Sequence, residues 1–217
     1  MSYLMLIILT LIIGMGAQAL VNGRLKKYSR IGVSNGMTGS EAARRMLAYY
    51  NITGVPINRG KEGQDFFDPR SNSVTLSPSA YDGTSITALA TACHECGHAY
   101  QYAEGYAPMK VRTALVPAVN LASNAWMFIL MIGIVLQIAG LVDLAIIMYA
   151  AVVLFSLVTL PVEFNASHRA MTYMDTIALP QEERDGSRSV LTACTMTYVA
   201  AALTSILQLV WLLGQRN

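Results

Sequence analysis

Four stretches of this chain carry no charged residue: 3–21, 113–142, 144–162 and 189–215. A helix of about 20 apolar residues crosses the hydrocarbon core of a bilayer, so each stretch is long enough, or nearly so, to span it. Lipid offers no hydrogen-bond partner to bare backbone, and a lone segment that crosses it must be helical. Four transmembrane helices are therefore expected. Composition agrees: 54% of the residues are hydrophobic and 13% charged, against about 25% charged in ordinary soluble domains.

No Lys or Arg precedes the first apolar block, whereas Arg24, Lys26, Lys27 and Arg30 follow it. The positive-inside tendency then places the N-terminus outside and residue 24 onward in the cytoplasm. Ala17-Gln18-Ala19 has the small-x-small form of a signal-peptidase site, but these flanks favour an uncleaved anchor. The expected organisation is an anchor over 1–22, a water-soluble region over 23–115, a membrane hairpin over 116–160, a cytoplasmic segment over 161–189 and a last span over 190–213. Within the hairpin, spans at 116–140 and 144–160 are joined by a tight link at Leu141, Val142 and Asp143. A hairpin returns the chain to the side it left, so 161–189 is expected on the same face as the soluble region. Thr192, Thr195, Thr197, Tyr198, Thr204, Ser205 and Gln208 make the last span polar enough to pack against other helices.

The soluble region holds most of the charge and the Gly, Pro, Asn and Asp punctuation. Thr38-Gly39-Ser40-Glu41 reads as a capping box before a helix over 42–50. Short strands are expected at 55–58 and 74–76, and Asp82-Gly83-Thr84-Ser85 caps a helix over 86–103 that Gly105 and Pro108 stop. The fold class is a mainly α membrane protein with about four transmembrane helices and a small α+β domain. A formal net charge of +2, with no basic run interleaved with aromatics, excludes a nucleic-acid surface. Cys93, Cys96 and Cys194 form no spaced framework and read as reduced structural thiols.

The predicted helix over 86–103 contains His94-Glu95-Cys96-Gly97-His98. Residues i and i+4 share a helix face, so the two imidazoles can converge on one Zn²⁺. Glu95, rotated by about 100°, can reach a zinc-bound water and act as general base, then protonate the leaving amine of a peptide bond. With three His and seven Glu in the chain, a shuffled sequence would show H-E-x-x-H about once in a thousand trials, so the match is specific as motifs go. A purely structural zinc site has no need of a carboxylate at 95.

Catalytic zinc takes a third protein ligand, and Glu163 and His168 are the contenders. Glu163 follows Pro161 at the cytoplasmic end of the third span, where a carboxylate is costly unless partnered. His168 is five residues on, about 140° around a helix when whole turns are discounted, so both are not expected to reach one metal, and Glu163 is favoured.

These residues resemble the membrane neutral zinc metallopeptidases of the YugP type, along the whole chain. The resemblance covers Thr38-Gly39-Ser40-Glu41-Ala42-Ala43, Asp68-Pro69-Arg70, Leu76-Ser77-Pro78 and Ala92-Cys93-His94-Glu95-Cys96-Gly97-His98-Ala99. It continues through Leu160-Pro161-Val162-Glu163-Phe164-Asn165-Ala166-Ser167 and Thr197-Tyr198-Val199-Ala200-Ala201. It implies that the small α+β domain is zincin-like and cytoplasmic, with a gluzincin-like site that holds Zn²⁺ on His94, His98 and Glu163 and with Glu95 catalytic. The E-x-x-A-S pattern looks like the E-x-x-A-D of gluzincins related to the CAAX prenyl peptidase and HtpX; Ser167, in place of an aspartate, can still hydrogen-bond a ligand. Arg169 matches a basic position of the family and is a candidate for transition-state stabilisation. The family's D-H-Y-D-P reads Asp65-Phe66-Phe67-Asp68-Pro69 here, without the histidine.

In zincin-like sites a peptide commonly adds to an edge strand, and Val74, Thr75 and Leu76 are expected to supply that edge. The expected substrates are peptides or segments of other membrane proteins, cut at the bilayer surface. The location implied is a bacterial cytoplasmic membrane with the site facing the cytoplasm. Two rivals are a protease with its H-E-x-x-H inside the bilayer, since 86–93 is uncharged, and a zinc-binding scaffold or quality-control adaptor without turnover.

Overall fold

A computed structural model describes residues 2–214 of the 217. The chain is mainly helical, with α1 (Tyr3–Tyr28), α2 (Gly39–Tyr49), β1 (Ile57–Arg59), β2 (Phe66–Asp68), β3 (Ser73–Leu76), α3 (Pro78–Tyr81), α4 (Ile86–Ala103), α5 (Ala107–Val135), α6 (Ala139–Met174) and α7 (Gln181–Gly214). By length and composition, α1, α5, α6 and α7 are four helices able to cross a membrane. At 1.5 Å per residue the 36 residues of α6 extend about 54 Å, well beyond a hydrocarbon core of about 30 Å.

The link between α5 and α6 differs from expectation. The turn between α5 and α6 falls at residues 136–138, ahead of the expected link, with Gln137 in the left-handed region at φ 55°. Leu141, Val142 and Asp143 instead lie in the first turns of α6. Helix α4 ends at Ala103 as expected, Gly105 follows in the left-handed region at φ 70°, and Pro108 sits in the first turn of α5, where a missing N–H costs nothing. Pro161, compatible with a helix start or with a place inside a longer helix, lies inside α6, which lacks one N–H toward Leu157 there and continues to Met174.

The chain divides into two compact units, and the division falls inside α1, α6 and α7. The first comprises Met1–Ala17, Ala107–Pro161 and Thr197–Asn217. Its core gathers Trp126, Ile146, Tyr149, Val153 and Leu212. The Trp126 and Tyr149 rings lie 4.5 Å apart, and the Tyr149 hydroxyl donates to Gln208 at 3.3 Å.

The second unit comprises Gln18–Tyr106 and Val162–Met196. Thr38 caps α2 with the reciprocal Glu41 contact that defines a capping box. Ser85 caps α4 by accepting from the Ala88 N–H at 3.1 Å. The sheet has the order β1-β3-β2, with β1 parallel and β2 antiparallel to β3. The expectation that Val74, Thr75 and Leu76 form an edge is thus not met: β3 has a partner on each side, and the open edges belong to β1 and β2. The signal for β2 was hidden because two adjacent phenylalanines before Asp68-Pro69 show no alternation.

Candidate metal centre

Helix α4 carries His94, Glu95 and His98, and α6 carries Glu163. The two helices approach closely because residue 97 is glycine: a Cβ there would lie 2.5 Å from the Ala166 carbonyl oxygen and 3.0 Å from its carbonyl carbon. This contact brings the α6 backbone beside the histidine turn. The Glu163 carboxylate, 1% exposed, then places Oε2 3.2 Å from His94 Nε2 and 3.6 Å from His98 Nε2. The imidazole rings are nearly perpendicular at 81°, with centroids 4.8 Å apart. Among the described residues these three form a cluster able to hold a metal, with ligand atoms all within 4.8 Å of one another.

The tautomers follow from the partners of the other ring nitrogens. His98 Nδ1 is 3.0 Å from Gln101 Oε1. Gln101 Nε2 faces the Val162 carbonyl and Asn165 Oδ1, and a carbonyl only accepts, so the amide cannot be reversed. His98 Nδ1 is therefore the donor. On the other ring, His94 Nδ1 is 3.2 Å from Ser167 Oγ, which is 3.2 Å from Thr195 Oγ1. Thr195 spends its hydroxyl proton on the Leu191 carbonyl at 2.9 Å, so Ser167 donates to Thr195 and accepts from His94. Both Nδ1 atoms are thereby committed as donors, and two Nε2 atoms are turned toward a carboxylate.

Three acceptors facing one point need positive charge between them. In a tetrahedral zinc site with bonds of about 2.05 Å, ligand atoms stand about 3.3 Å apart. The two histidine–carboxylate distances, 3.2 and 3.6 Å, bracket that value, and the two histidine nitrogens lie within 4.8 Å of each other. The residues present fit Zn²⁺.

Glu95 adjoins this cluster without belonging to it. It is 8% exposed, and burial pushes its carboxyl up to about 7, with the Glu163 and Asp65 charges adding to the rise. His94 and a backbone hydrogen bond from Phe67 pull the other way. A buried carboxyl poised near neutrality can take up and return a proton, as a general base and acid must. Cys93 and Cys96 are buried on the same helix, and desolvation holds both thiols well above their usual range, away from reactive thiolate.

The remaining candidates fall as follows. Ser167 contacts His94 directly. Arg169 does not point at the cluster: its guanidinium lies over the Tyr100 ring at 4.6 Å and meets Glu104 at 3.4 Å. His168 is exposed and lines a cavity with Asp175, Arg188 and Thr192. Sequence reasoning missed Gln101 and any contact of Thr195 with the site. Gln101 had a readable signal, since it lies three residues beyond His98 on the same helix face; Thr195 had none beyond being a polar residue in an apolar helix.

Two comparisons with known proteins find a match. The family model described as "Putative neutral zinc metallopeptidase" matches residues 3–216. "Putative membrane protease YugP" of Bacillus subtilis (strain 168) is 40% identical over 212 residues, covering 96% of this chain and 94% of the relative. No solved structure matches. With a match over nearly its whole length, the chain belongs to the neutral zinc metallopeptidase family described by that model.

Proposed function

We propose that this protein is a membrane-anchored, zinc-dependent endopeptidase that cuts peptide bonds near the membrane surface. The observation that carries the reading is the convergence of His94 Nε2, His98 Nε2 and Glu163 Oε2 beside a buried glutamate that is not one of the ligands. When bound, zinc supplies Lewis acidity, which acidifies water and polarises a carbonyl. Glu95 takes the proton of the attacking water and returns it to the amine nitrogen as the peptide bond breaks. His94, His98 and Glu163 would hold the ion, and Ser167 and Gln101 hold the two rings.

Substrate placement is supported by the sheet. Strand β2 has one open edge, and Phe67, in that strand, hydrogen-bonds through its backbone to Glu95. An extended peptide added to this edge would lie beside the general base. β2 thus takes the role first expected of Val74, Thr75 and Leu76. The basic residues Arg24, Lys26, Lys27 and Arg30 after the first apolar block support a cytoplasmic site. A peptide or a membrane-protein segment at the bilayer surface is then the substrate class.

The test uses full-length protein purified in detergent, with zinc stoichiometry and casein cleavage measured for wild type and Glu95→Gln. About one zinc per chain in both is expected, with cleavage lowered by about 10²–10⁴-fold in the variant, the usual range for a lost general base. Zinc bound equally with no cleavage by either protein would replace this reading with a zinc-binding scaffold.

A further inference from the structure

Gln101 lies three residues beyond His98 on α4 and is fully buried, at 0% exposed. Burying a carboxamide costs free energy unless its polar atoms are bonded. Every polar atom of this one is engaged. Oε1 accepts from His98 Nδ1 at 3.0 Å, and Nε2 donates to the Val162 carbonyl at 2.7 Å and to Asn165 Oδ1 at 3.0 Å. Val162 is the residue immediately before Glu163. One rigid, planar group therefore touches a ligand imidazole on one side and, on the other, the backbone that carries a second ligand.

A leucine or methionine would fill similar volume and satisfy nothing. The presence of an amide, bonded at both ends across two helices, is hard to account for as packing alone. It acts on orientation: the acceptor end fixes the proton of His98 on Nδ1 and leaves Nε2 for the metal. The donor end sets the distance between α4 and the α6 backbone one residue from the carboxylate. Directional hydrogen bonds hold such a separation more narrowly than apolar contacts do.

We propose that Gln101 is a positioning residue for the metal centre, holding His98 in its Nδ1–H tautomer and clamping α6 at Val162 so that His98 and Glu163 stay at metal-binding separation. The inference rests on the zinc reading above and extends it to a group outside the ligand set. It implies that metal affinity, and not only stability, depends on the chemistry at position 101.

The test measures zinc affinity by chelator competition on full-length, detergent-purified protein, with helix content followed by circular dichroism. Gln101→Leu and Gln101→Met remove both ends of the clamp and are expected to weaken zinc binding about 10–100-fold. Either variant serves if the other does not fold. Gln101→Glu keeps the acceptor for His98 Nδ1–H and loses the donor to the Val162 carbonyl and to Asn165 Oδ1, so it is expected to weaken binding less than about tenfold. A packing role predicts the opposite order, because an apolar side chain is accommodated in a buried site and a carboxylate is not. Zinc affinity in both apolar variants within about threefold of wild type, or weaker binding in Gln101→Glu than in them, overturns the proposal. Wild-type protein that takes up no zinc overturns the metallopeptidase reading itself; tight wild-type binding that both apolar variants share overturns only the role of Gln101.

Discussion

Two helix-to-helix joints in this protein are built from opposite materials. Where α4 meets α6, the contact is made by a missing side chain and by bonded polar groups: Gly97 against the Ala166 backbone, Gln101 against Val162 and Asn165, Ser167 against His94. In the first unit, Trp126, Ile146, Tyr149, Val153 and Leu212 pack as an apolar cluster, with the Tyr149–Gln208 bond at its margin. The difference tracks the task. Apolar packing in a lipid-facing bundle has no hydrophobic drive and tolerates small shifts, since dispersion falls off gradually and in no preferred direction. A metal site needs its ligand atoms placed within a few tenths of an ångström, and only directional contacts on a tight backbone approach supply that. Changes at the first joint should therefore register in metal affinity, and changes at the second in stability alone.

The largest effect is expected at the ligand from α6. Glu163→Ala leaves two histidines without the carboxylate that faces them, and zinc affinity should fall by more than about 100-fold, beyond the usual cost of losing a ligand's hydrogen-bond partner. Metal analysis after gel filtration checks this, with His168→Ala as the comparison expected to retain about one zinc per chain. Loss of zinc from His168→Ala with retention in Glu163→Ala would reverse the assignment of the third ligand.

Next in size is Gly97→Ala. Its new methyl would sit 2.5 Å from a backbone oxygen that cannot swing aside, so α4 and α6 must part. Overpacking of this kind costs about 1–3 kcal/mol, read as a lowered unfolding temperature in detergent. Because Ala166 lies three residues after Glu163, the same shift should move the carboxylate and weaken zinc binding. A variant destabilised but with wild-type zinc affinity would show that ligand placement does not depend on the closeness of this joint.

How much of this was legible in the sequence differs between the same two regions. The apolar helices were readable because lipid imposes a simple rule on length and charge, and four charge-free blocks became four helices. Their ends were less readable. The α5–α6 turn at 136–138 contains no glycine, proline or charge, and Gln137, the one polar side chain between Asn124 and Asp143, was its only local signal. At the site, the spacing of His94, Glu95 and His98 announces its chemistry because one helix holds all three. Glu163 was reachable only by asking which buried carboxylate needed a partner, since 65 residues separate it from His98. Thr195 acts through Ser167 across a further helix, a relation that no local pattern records. The edge of the sheet was misassigned for the same reason: strand order is a long-range property, and Val74 to Leu76 look alike at an edge or in the middle.

The smallest expected effect lies at the apolar joint and tests the comparison from its other side. Tyr149→Phe removes the hydroxyl that donates to Gln208 at 3.3 Å and leaves the ring packed against Trp126. Hydrogen bonds between helices in a membrane contribute about 0.6 kcal/mol on average, so the variant should unfold slightly more easily in denaturant titrations in detergent. Zinc affinity and casein cleavage should match wild type, because Tyr149 and Gln208 belong to the first unit and His94, His98 and Glu163 to the second. A tenfold fall in zinc affinity with so small a loss of stability would mean that the apolar helices set the metal geometry too, and the division of labour between the two joints would have to be given up.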